Sequence, residues 1–188
     1  MNELILLTDF WNEQNVENYL NCRDYFYKTK SFDPFEKYIE RVLYDLEELN
    51  YEDVLVEFKE TRQLSLFVLD KISFAYKMLE NAEKSLKYFT RCTEVAQVIL
   101  KTGDGTRNNP YKTIYGSDSK ELMPYLYEKY KRHAIIDFDD KKLETVITES
   151  GNEYFFDVSE LQITKENAVQ ERVDDMLKWF DSNTNRPV

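Results

Sequence analysis

The chain has 188 residues, enough to bury a core of its own, with 25 basic and 36 acidic side chains and a net charge of −11. A surface of that sign repels phosphate backbones, which counts against nucleic acid as a direct partner and favours basic ligands. No stretch approaches the roughly 20 apolar residues of a membrane span, so no membrane partner is expected.

The opening, MNELILLTDFW, holds only the short apolar run Leu4 to Leu7 behind an acidic Glu3. With no basic n-region it does not read as a secretory signal, and the expected location is cytoplasmic. Val16, Tyr19, Cys22 and Phe26 then give a helical stripe. Cys22 and Cys92 stand without a CxxC or a nearby histidine, the usual pattern of reduced thiols, with a disulfide between them left open.

The clearest helix is SFDPFEKYIERVLYDLEELN, where Phe35, Tyr38, Ile39, Val42, Leu46 and Leu49 share one face. Asp33 is placed to cap it, Pro34 to fill its first turn and Glu36 to complete a capping box. Tyr51, Val54, Leu55 and Phe58 continue with a further one-sided helix. QLSLFVLDKISFAYKMLE is apolar nearly all round, as a helix in the middle of a stack must be. Asn81 caps the next helix, in which Ala82, Leu86, Phe89, Ala96 and Ile99 form one stripe, and the two make an antiparallel hairpin.

All four glycines, Gly103, Gly105, Gly116 and Gly151, come after this first hundred residues. Gly103 is expected to close the last helix in the left-handed conformation after Lys101 and Thr102, and Gly105 to permit a tight turn with Asp104 bonding nearby amides. A phosphate cradle would need a glycine-rich loop that enters a helix, whereas GDG leaves one.

FAYKMLENAEKSLKYF resembles a tetratricopeptide-type unit through Ala75, Tyr76, Glu83, Lys84 and Tyr88, departing from it at Glu80, where glycine is usual. With Leu79, Ile99, Gly103, Asp104, Gly105 and the closing EYFFDVS, the span to Ser159 resembles a Bacteroidetes family of unknown function. That resemblance implies a helical hairpin ending in a GDG turn, followed by a small α+β unit.

YKTIYG reads as a short strand and SDSKELMPYLYEKY as a helix started by Ser117 or Ser119 and punctuated by Pro124. HAIIDF, LETVITE and EYFFDVS read as an antiparallel meander, with YKTIYG at its edge. A last helix is expected over TKENAVQERVDDMLKWF, capped by Thr164, with Val169, Val173, Met176, Leu177 and Phe180 on one face. The expected class is α+β: helical hairpins over 1–102, then a small mostly antiparallel sheet unit with a C-terminal helix over 103–188, packed as one unit.

No nucleophile elbow, HExxH, Walker loop or dinucleotide fingerprint occurs. His133, the one histidine, reads as a surface residue. Asp137, Asp139 and Asp140 lack the alternating-oxygen pattern of a calcium loop and read as a solvated turn. No cofactor and no metal are expected. The expected function is a non-catalytic protein-binding module for a basic partner, in one version an immunity-type inhibitor of a toxin. Trp11, Tyr25, Tyr27 and Trp179 are its candidate anchors, since aromatics bury large area at low entropic cost. The alternative is a hydrolase working through carboxylates such as Asp104 or Asp137 where helices and sheet meet.

Overall fold

Short polar side chains set the helix starts. Asn2, Asn15, Ser65 and Asn81 each accept a hydrogen bond from a backbone N–H of the turn that follows, opening α1 (Glu3–Asn12), α2 (Val16–Lys28), α5 (Leu66–Met78) and α6 (Ala82–Ile99). Between them lie α3 (Ile39–Glu47) and α4 (Tyr51–Glu57). The computed structural model describes residues 2–29, 32–34, 39–57 and 64–164. Glu36, Phe35, Tyr38 and Phe58 fall outside the described residues, and so does the expected helix beyond Thr164.

No strand occurs among the described residues before 103. The sheet follows, from β1 (Tyr111–Lys112), β2 (Tyr130–Phe138), β3 (Lys141–Thr148) and β4 (Glu153–Asp157). Its order is β1-β4-β3-β2. β2 to β4 form the antiparallel meander, and β1 joins the β4 edge in parallel, with Tyr111 opposite Phe156. Residues 159–164 are helical, so Thr164, whose hydroxyl donates to the carbonyl of Glu160, lies within a helix and does not cap one as expected; the molecule is α+β.

Among the described residues two hydrophobic cores share α5. The larger draws Leu6, Phe10, Tyr19, Phe26, Leu69, Val95 and Ile99 from the helices and Tyr111, Val146 and Phe156 from the sheet. The smaller joins Val42 of α3 and Val54 of α4 to Phe67, Val68, Ile72 and Ala75 of α5. Different faces of α5 thus enter different cores, but its C-terminal end is not enclosed as in the middle of a stack, since Phe74 and Met78 are exposed.

Four further expectations change. Leu49 is not on the α3 stripe: the helix ends at Glu47, and Leu49 follows it at φ 61°, exposed. In α6 the stripe is buried only in its second half; Leu86 and Phe89 are 65% and 55% exposed, and the first half rests on α5 through Ser73 to Ser85 and the stacked rings of Tyr76 and Tyr88. That helix stops at Ile99, so Lys101 and Thr102 lie beyond it. The expected helix through Tyr130 breaks at Pro124 into a four-residue α7 (Asp118–Glu121) and a 3-10 turn (Met123–Leu126), and the strand starts at Tyr130, before HAIIDF.

Candidate interaction surface

Trp11 ends α1 half-buried, edge-on to Phe10 at 5.0 Å, with the Arg91 guanidinium 4.7 Å from its ring centre. Tyr25 is half-buried and edge-on to Phe26. The Tyr27 hydroxyl donates to the carbonyl of Ile114 at 2.7 Å, Arg23 lies 5.0 Å from its ring, and burial holds the phenol above its ordinary value. Trp11 is thus engaged with α6 and Tyr27 with residue 114, rather than meeting in one patch. Trp179 lies outside the described residues. Tyr27 also lines a cleft of about 280 Å³ between α2 and residues 159–164, together with Asp24, Lys28, Glu160, Ile163 and Thr164.

Where helices meet sheet, the backbone of residues 113–115 is held by buried polar groups. Arg23, 6% exposed, donates through Nε to the carbonyl of Thr113 at 2.9 Å and pairs with Glu160 at 3.3 Å. From the other side Asp118, fully buried, accepts from the amides of Ile114 and Tyr115 and from Leu66 at the start of α5. Beside this, burial raises the carboxyl pKa of Glu121, against the opposing pull of Lys71. Burial likewise pushes the thiols of Cys22 and Cys92 up to about 12. Both cysteines are free and neither is a thiolate near neutral pH.

The GDG turn is occupied by its own chain. The amides of Asp104 and Gly105 both donate to the carbonyl of Asn109, at 3.0 and 3.2 Å, and the Gly105 carbonyl accepts from Phe155 of β4. Gly105 takes the left-handed φ of 76°. Gly103 does not, which corrects its expected role as a left-handed helix stop. It is needed for close approach, since a Cβ there would stand 2.4 Å from the carbonyl oxygen of Pro110. Asp104 accepts from the Thr106 amide, and its side-chain hydrogen bond to Thr106 chiefly lowers its pKa, so this carboxylate is not poised as a general acid.

Asp137 of β2 pairs with Lys142 of β3 at 2.6 Å, and Asp139 holds the hairpin turn at φ 52°. His133 is exposed and its Nδ1 is hydrogen-bonded to the buried Glu144 of β3. Among the described residues no three His, Cys, Asp or Glu side chains gather as a metal group.

The densest charge lies on the α3–α4 hairpin. Residues 39–57 carry Glu40, Asp45, Glu47, Glu48, Glu52, Asp53 and Glu57 against Arg41, a net −6 within the whole-chain −11. The hairpin also exposes Leu43, Tyr44, Leu49 and Val56. Of these four, the helical spacing places only Leu49 on a core stripe, and no expectation marked Leu43, Tyr44 or Val56 as surface. The available signal was the crowding of seven acids into so short a stretch. No known protein family, curated protein or solved structure matches the chain, so the resemblance drawn above rests on the quoted residues alone. No described helix is long and apolar enough to cross a membrane.

Proposed function

We propose that the protein is a non-catalytic binding module that receives a basic protein partner, with the α3–α4 hairpin as its principal contact surface. The observation that carries this reading is the coincidence of net charge −6 with the exposed Leu43, Tyr44, Leu49 and Val56 on one short hairpin. Acidic groups steer a basic partner during encounter, and the interleaved apolar groups supply area to bury once it has arrived. An immunity-type inhibitor that covers a basic toxin is one concrete form. Trp11, Tyr25 and Tyr27 belong to this reading as secondary anchors at most, given their internal engagements. The carboxylate hydrolase takes second place, because Asp104 and Asp137 are each exposed and committed to local partners.

The test is capture from native lysate at low and high salt, repeated with Glu47→Lys/Glu48→Lys/Asp53→Lys. A stoichiometric basic partner should be retained at low salt, released at high salt, and associate about tenfold or more slowly with the variant. Retention indifferent to salt and to these reversals would overturn the reading.

A further inference from the structure

β2 is the last strand of the sheet, nine residues long, and among the described residues no strand follows it. Its residues 131–135 are all exposed, and Ile135 is an exposed large apolar side chain. An edge of that length offers unpaired backbone groups to another strand, and proteins ordinarily blunt such edges with charge. Here the charge is polarised. Lys131, Arg132 and His133 occupy the first half of the strand, and Asp137 its second half, with Asp139 and Asp140 in the turn that follows.

This polarity separates the possible occupants. A parallel copy of β2 would lay positive on positive and acid on acid. An antiparallel copy lays each positive arm against the acidic arm of the other strand. Geometry restricts the register further. The ladder to β3 shifts register between Tyr130 and Arg132, so β2 is regular over 132–138; there only alternate residues point their N–H and C=O outward, and residues directly opposite each other in an antiparallel pair of identical strands must share parity. The two-fold axis then passes between the two copies of one residue. With Ile135 there, His133 faces Asp137, which already pairs with Lys142 inside its own sheet, and Arg132 and Lys131 lie against the end of the other strand and its acidic turn.

We propose that β2 is a self-association edge: two copies of the chain join antiparallel through β2 about a two-fold axis, extending the sheet from one copy into the other. A two-fold contact of this kind uses the same patch twice, so every complementary charge pair occurs twice. The proposal is independent of the basic-partner reading. The heavily acidic α3–α4 hairpin belongs to the smaller core, whereas the sheet contributes to the larger one.

Sedimentation equilibrium of the full chain tests it, with two variants that each reverse one arm, Lys131→Glu/Arg132→Glu and Asp137→Lys/Asp140→Lys. The wild type should be a dimer at tens of micromolar. Each variant alone should dissociate about tenfold or more readily, since like charges now face each other at two places. An equimolar mixture of the two variants should dimerise again, because the acid arm of one faces the basic arm of the other. That recovery also shows that both variants are folded. A monomeric wild type, a dimer that survives both reversals, or a mixture that stays monomeric would each overturn the proposal.

Discussion

Glu80 follows α5 at φ 57°, and Leu49 and Tyr127 stand at φ 61° and 58° after α3 and the 3-10 turn. Each is the left-handed residue of a helix-closing turn. The next amide reaches back in every case: Asn81 to the carbonyl of Tyr76, Asn50 to Asp45 and Glu128 to Met123. The absence of glycine from the first hundred residues therefore does not mean an absence of glycine conformations; ordinary L residues hold them at a steric cost. Glu80 is the position at which the tetratricopeptide pattern has glycine, so that departure in the sequence pointed to a strained turn. Leu49 gave no such sign, because helical spacing places it on a core stripe. Glu80→Gly and Tyr127→Gly should each stabilise the protein by about 1 kcal/mol, since both side chains are exposed and relief of strain outweighs the added freedom of the unfolded chain. Urea midpoints that stay unchanged or fall would contradict this assignment of strain.

The short α7 does more than its four residues suggest. Its first residue, Asp118, ties together the start of α5, the segment after β1 and its own helix, while Arg23 and Tyr27 of α2 take the carbonyls of Thr113 and Ile114. Truncating Asp118 to alanine strips the acceptor from three buried amides, and each unpaired buried amide costs about 1–3 kcal/mol. Asp118→Ala should thus lose at least about 3 kcal/mol in denaturant unfolding, with Asp118→Asn between it and wild type. A loss under about 1 kcal/mol would show that the carboxylate is dispensable. Elements of this kind were poorly legible in the sequence. The cap at Asn81 and the three strands of the meander follow from local signals, and so they could be read. The polar clasp joins residues 23, 27, 66, 113–115 and 118, which no periodicity connects. Pro124 announced a break, but only tertiary pairing with β3 decides that Tyr130 starts a strand.

At the scale of the molecule, the two cores differ in what supports them. The larger is enclosed by α1, α2, α5, α6 and the sheet, whereas the smaller depends on Val42 and Val54 meeting a single side of α5. The hairpin that supplies those two valines also carries net charge −6, and its self-repulsion works against its own docking. α3 and α4 should therefore open as a unit before the rest of the molecule unfolds. Native-state hydrogen exchange should show α3 and α4 amides less protected than those in the buried half of α6. Val54→Ala, which leaves a void in the smaller core, should weaken protection of α3 and α4 by about 2 kcal/mol. Residues 92–99 should keep theirs, because their partners lie in the larger core. Equal loss of protection in α6 would mean that the shared helix α5 couples the two cores into one cooperative unit. A basic partner bound to the hairpin would then stabilise the whole fold, where separable cores would confine that stabilisation to α3 and α4.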